Sequence, residues 1–210
     1  MRLPTRDEAM QEFLEQHVLQ GWLDDVPIIE QNCTEQEQTL IDTLLSTLEQ
    51  ACVKAARLQH QGEKGPVRYI YISLLRTSLL DDQAMYQIHC HDDRWFLDET
   101  DSHAYWNAGL IFDPLFQRMQ QLKEQRKSYG RRITVMDIEK IMQLEAIKYH
   151  MLTVHVLHAL LPHWLEHPSW LALHKTSDCC IYAGEFHDEC ELLHQEGLEQ
   201  ADVQQNHGQV

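Results

Sequence analysis

Between Val67 and Asp98 the chain reads VRYIYISLLRTSLLDDQAMYQIHCHDDRWFLD, a long run of strand chemistry with helical patterns on both sides. Val67 to Leu75 is dense in β-branched, aromatic and aliphatic residues, and Gly65-Pro66 bounds it upstream. Val67, Tyr69 and Tyr71 alternate with Ile70, Ile72 and Leu74, so neither face is polar and the spacing predicts an inner strand covered on both sides. Ala84 to His91 alternates cleanly instead. Ala84, Tyr86, Ile88 and Cys90 fall on one face and Gln87, His89 and His91 on the other, the pattern of a half-buried strand. Trp95-Phe96-Leu97 adds a short third strand after the Asp92-Asp93 turn.

Around this stretch the period changes to that of helices. Thr5 with Glu8 is a capping-box pattern, and Met10, Phe13, Leu14 and Val18 follow at helical spacing, which predicts a helix from Arg6 to about Gln20 ended by Gly21. Trp22 to Ile29 reads as an apolar connector around Pro27. Thr34 with Glu37 opens a second helix to about His60, whose stripe runs Leu40, Ile41, Leu44, Leu45, Leu48, Cys52 and Ala55. Asp113-Pro114 predicts a helix start, and Gly130 its close. Thr134 with Asp137 opens the longest helix, to about Leu161, with Glu145 on or beside the apolar face, where a carboxylate needs a partner. A short helix from about Ser169, a strand from Cys179 to Ala183 and a charged helix from about His187 to Glu199 complete the pattern.

The fold class this implies is α+β and helix-rich. A small, mainly antiparallel sheet of about three to four strands is flanked by N-terminal and C-terminal helices, and Cys179 to Ala183 returns to that sheet. Residues 1–200 form one globular domain and 201–210 a flexible tail, and 210 residues suffice for a sizeable core without disulfide or metal. The formal net charge of -16 argues against nucleic acid and anionic membrane, both of which are bound through Lys and Arg. Six irregularly spaced cysteines with no CxxC pair, and an N-terminus without an apolar signal core, place the chain in the cytoplasm with free thiols.

Four constellations have the residue types for chemistry. Arg76, Thr77 and Ser78 follow the inner strand, where a guanidinium and two hydroxyls can grip a carboxylate or phosphate. The structural alternative pairs Arg76 with Asp81, Asp82 or Asp98 and spends the hydroxyls on capping a turn. Histidine is enriched, with 14 residues. His187, Cys190 and His194 fall at offsets of three and seven along the expected last helix, one face with zinc-compatible side chains. His89 and His91 share the outer face of their strand. His163, Glu166 and His167 match the HxxEH pattern of zinc hydrolases, but Pro168 pushes His167 out of helical geometry and spoils the continuous face that motif needs.

No catalytic constellation outweighs its structural alternative. The expected function is a non-enzymatic interaction or regulatory module with a protein partner and no cofactor. The alternatives are a zinc-binding protein or zinc-dependent hydrolase, and a metal-free enzyme using an Arg/carboxylate pocket.

Overall fold

The computed structural model describes residues 4–185 and 190–197. The expected C-terminal tail, and His187 of the candidate metal set, lie outside them. Helix α1 (Arg6–Phe13) starts with the capping box of Thr5 and Glu8 fully formed and continues through a π-helical turn, Leu14–Val18. Gly21, expected to end this helix, instead begins α2 (Gly21–Glu35), which carries Pro27 in its interior. The apolar connector is therefore a helix. Helix α3 (Glu37–His60) starts from Gln36 without a side-chain cap, because Thr34 is already inside α2 and its hydroxyl donates to the Glu30 carbonyl. After the first three strands come α4 (Gly109–Gln125), α5 (Val135–Leu165) and a short α6 (Pro168–Ala172). Helix α4 begins four residues before the expected Asp113, and α5 runs through Pro162, past the expected end at Leu161. Its Thr134–Asp137 capping box forms as the sequence predicts. Among the described residues no helix is long and apolar enough to cross a membrane.

The sheet has five strands: β1 (Val67–Leu74), β2 (Met85–His91), β3 (His103–Asn107), β4 (Lys175–Glu185) and β5 (Cys190–Gln195). Their spatial order is β3-β2-β1-β4-β5. β1 is the central strand, parallel to β4, and every other pairing is antiparallel. The fold is thus α+β and helix-rich, around a mixed and mostly antiparallel sheet.

Two local expectations change. Trp95–Leu97 is a 3-10 turn rather than a strand, and the third strand is His103–Asn107. The expected last helix is the strand β5 over its described part, because the free edge of β4 offers backbone partners that outweigh helix propensity. Its added edge raises the count from the expected three or four strands to five.

Strand periodicity sorts the side chains into two faces. Ile70, Ile72 and Leu74 of β1, Tyr86, Ile88 and Cys90 of β2, Trp106 of β3 and Ile181 of β4 form the helix-covered core. Ile70, Ile72 and Leu74, each no more than 2% exposed, contribute about 1.5–3 kcal/mol apiece by burial. On this side Trp106 donates to Thr43 of α3 at 3.4 Å, and the Tyr86 hydroxyl lies 2.8 Å from His150 Nδ1 of α5.

The helices hold together around a buried polar cluster. Arg118 of α4 places Nε 3.2 Å from Asp25 Oδ2 of α2, and donates from Nη2 to Glu145 Oε2 and the Tyr149 hydroxyl of α5, both at 3.1 Å. Tyr149 in turn donates to Asp25. Glu145, the carboxylate on the apolar face, also accepts from Lys148 at 2.8 Å. A Cβ on Gly21 would come within 2.2 Å of the Arg118 guanidinium, so this glycine makes room for the arginine rather than stopping a helix.

Candidate functional site

The outer face of the sheet carries a row of rings. Tyr71 pairs with His89 and Tyr182, and His89 with His103. Tyr71 stacks on Tyr182 with centroids 5.1 Å apart, and His89 and His91 rings lie 3.9 Å apart. Over β1 and β2 the loop from Asp92 to Thr100 folds back and seats Trp95 and Phe96 on this face. Phe96 lies 5.2 Å from Tyr71 and 5.6 Å from His91, and Trp95 lies 5.9 Å from Tyr69. The indole N–H of Trp95 donates to the Tyr71 hydroxyl at 2.9 Å.

What folds the loop back is a cage of buried charge. The side chains of Lys64 and Asp98 have no solvent exposure and are paired directly, and Lys64 also donates to Thr100 Oγ1 at 2.9 Å. Asp98 accepts further bonds from the N–H groups of Asp92 and Thr100, both at 3.1 Å, and from the Thr100 hydroxyl at 2.6 Å. Asp92 accepts from the Gly65 N–H at 3.1 Å and from Arg94 Nη2 at 2.7 Å, and the same arginine reaches Asp98 at 3.2 Å. Burial works against ionisation of Asp98, but the bonds from Lys64, Thr100 and the two backbone N–H groups outweigh it and hold its carboxyl well below the usual range. Buried charges on this scale are tolerated only when each is paired and hydrogen-bonded, as these are.

The cage fixes an unfavourable backbone. Trp95 has φ of +58°, the left-handed region that a bulky L-residue rarely adopts and that costs on the order of 1–3 kcal/mol. The outcome is a 3-10 turn that presents Trp95, Phe96 and Leu97 at 47%, 38% and 81% exposure. Beneath it, His91 is 5% exposed and its Nδ1 has no hydrogen-bond partner. Burial, then the neighbouring His89 and Lys64, push the His91 imidazole down to about 4, and burial lowers His89 as well. His89 Nε2 lies 3.2 Å from the Thr100 carbonyl, and His103 Nδ1 lies 2.9 Å from Asp101. Among the described residues no three His, Cys, Asp or Glu side chains are grouped so as to hold a metal ion, this imidazole row included.

The sequence-predicted sites fall elsewhere. Arg76 pairs with Glu185 rather than with Asp81, Asp82 or Asp98. The reason is topological: parallel pairing sets Glu185 opposite Leu74 at the end of β1, while Lys64 and Arg94 occupy Asp98 and Gln120 donates to Asp82. Ser78 caps the turn, with Oγ 2.7 Å from the Leu75 carbonyl and accepting the Met85 N–H at 3.1 Å, and Thr77 is exposed. Behind Arg76, His150 is buried against the fully buried Tyr86.

Of the zinc candidates, Cys190 and His194 stand on β5 instead of a helix. Cys190 pairs with Gly184 on the outer face and His194 with Ile181 on the core face, where it lies 6.2 Å from Trp170. The two therefore point away from each other. In HxxEH, His163 is in the last turn of α5, Glu166 caps it, and His167 is extended at ψ 137° with Nδ1 accepting the Ser169 N–H. The two imidazoles do not share a helix face.

Sequence reasoning missed the caged loop. Its visible trace was an apolar triplet bracketed by Asp92-Asp93-Arg94 and Asp98-Glu99-Thr100. Lys64 sits far enough upstream that nothing local connected it to them. No protein-family model, curated protein or solved structure matches this chain.

Proposed function

We propose that this protein is a non-enzymatic interaction module that docks a protein partner on the Trp95–Phe96–Leu97 tip. The observation that carries this reading is Trp95 at φ +58°, a strained aromatic held exposed by a buried ionic cage. A loop shaped only for stability would turn through a glycine and bury its apolar residues. A loop preorganised this way loses little entropy on binding, and rigid aromatic and aliphatic side chains are the anchors that dominate protein interfaces.

Other surfaces have less support. Helix α5 exposes Leu144, Ile147 and Met151, yet along a regular helix with no left-handed residue. The Arg/carboxylate enzyme reading finds its carboxylate in Glu185, but Arg76 is exposed at the end of the strand rather than enclosed, and its guanidinium is spent on that pair. The zinc reading loses its shared ligand face at Cys190 and His194.

A photo-crosslinking amino acid with a leucine-like aliphatic side chain at position 97, compared with one at the exposed Gln50 of α3, tests the proposal in lysate of the source organism. A discrete adduct specific to position 97 is expected. Equal or absent labelling at the two positions would sink the reading.

A further inference from the structure

We infer that the partner is a positively charged polypeptide segment carrying an aromatic or large aliphatic anchor. This rests on the interaction reading above and specifies the chemistry of the occupant. From Asp92 to Asp101 the loop and its exit hold five carboxylates: Asp92, Asp93, Asp98, Glu99 and Asp101. Among the described residues, the Lys and Arg side chains paired with them are Arg94, Lys64 and Lys54. Lys64 and Arg94 are spent on the buried pair Asp92 and Asp98, and Asp101 is shared between Lys54 at 3.8 Å and His103 at 2.9 Å.

That leaves Asp93 and Glu99 in excess. Both are exposed, one two residues before Trp95 and the other two residues after Leu97, so the apolar tip is flanked by acid on either side in sequence. The overall charge of -16 extends the same sign of field outward. Such a surface repels acidic peptides, phosphate backbones and anionic lipid, and draws Lys- and Arg-rich segments. The half-exposed indole of Trp95 adds a face on which an arginine or lysine can stack. A second copy of this chain, equally acidic at this tip, is disfavoured for the same electrostatic reason.

The test pans a random twelve-residue phage-displayed peptide library on the full chain, depleted against the Leu97→Ser variant. Selected clones are expected to carry an aromatic or aliphatic residue flanked by Lys or Arg. A synthetic peptide of the most frequent sequence should bind about tenfold more weakly to Leu97→Ser, the scale of a lost anchor. Binding should weaken with added salt, and less so in the Asp93→Asn/Glu99→Gln double variant. Leu97-dependent clones without basic enrichment would overturn this inference and leave the docking surface standing. No Leu97-dependent clones, or self-association of the chain abolished by Leu97→Ser, would overturn both.

Discussion

Two buried ionic clusters hold different parts of the molecule, one between helices and one in the loop after β2. Arg118 with Asp25, Glu145 and Tyr149 joins three helices whose residues are far apart in sequence. Lys64 with Asp98, Asp92, Arg94 and Thr100 is nearly local, and apart from Lys64 every member lies within one nine-residue loop. The first is enclosed by apolar helix surface, with Trp22 packed edge-on to Tyr149 at 4.8 Å. The second ends in solvent, at a strained turn with three apolar side chains. The comparison separates two uses of the same chemistry: a long-range cluster staples the fold together, whereas a local one shapes a surface.

Removing the cation tests that division, and the helical cluster should show the larger effect. Arg118→Met takes the guanidinium from two buried carboxylates, leaving Asp25 with the Tyr149 hydroxyl and Glu145 with the half-exposed Lys148, and losing one partner of a buried ion pair costs about 3–5 kcal/mol. Urea unfolding should show that loss globally, while amide exchange in Asp92–Thr100 stays protected up to the new, lower global stability. An unfolding midpoint equal to wild type would break the idea that this cluster staples α2, α4 and α5. Lys64→Met should cost less, roughly 3 kcal/mol, because Arg94 still reaches Asp98. Its signature is local: amides of Asp92–Thr100 lose protection, and Trp95 becomes more solvent-exposed by fluorescence. Uniform loss of protection across the sheet would make the loop cage a staple as well.

The two clusters also differ in how much of them was legible in the sequence. Glu145 stands out in the periodicity of α5 as a carboxylate on an apolar face, so a partner could be demanded, though not identified as Arg118. The central strand, the half-buried β2 and the Thr5 and Thr134 caps follow from local pattern and are all present. Gly21 and β5 were misread because each is decided by a distant group: the Arg118 guanidinium in one case and the open edge of β4 in the other. Trp95–Leu97 has strand composition, and its turn is imposed by Lys64, some thirty residues upstream. Local chemistry specified the elements, whereas the candidate site arises from a non-local ion pair overriding one of them.

Acid offers a milder probe of the outer face. His91 is held neutral down to about 4 against 6.5 for the free side chain, by burial first and then by His89 and Lys64, with Asp98 opposing the shift. Among the described residues the groups around it are His89, Lys64, Asp98, Tyr71, Phe96 and the Trp95 backbone, which also opposes the shift, with His103 beyond His89. Between those two values the unfolded chain binds more protons than the folded one, so stability falls as pH drops through about 6.5 to 4. The loss should be on the order of 1–2 kcal/mol by pH 5. The carboxylates of the cage contribute in a lower window. Their depressed values mean their stabilisation is intact above 3.8 and is lost only further down. Urea midpoints at pH 7 and pH 5 for wild type and His91→Phe check this, and an unchanged pH dependence in the variant would remove His91 from the account.

The smallest expected effect on stability is the one that most sharpens the contrast between the clusters. Leu97 is 81% exposed, so replacing it with serine removes almost no buried surface, and stability should move by less than about 0.5 kcal/mol. Its neighbours Trp95 and Phe96 keep their contacts with Tyr69, Tyr71 and His91, and the cage beneath is untouched. A surface that exists to bind something should nevertheless lose much of that binding when its most protruding apolar side chain is cut back. Thermal melts and amide exchange of Leu97→Ser should therefore overlay the wild type, while capture of the selected basic peptide falls away. If the variant instead melts several degrees lower, Leu97 is part of the fold, and the loop is a structural cap on the sheet rather than a docking tip.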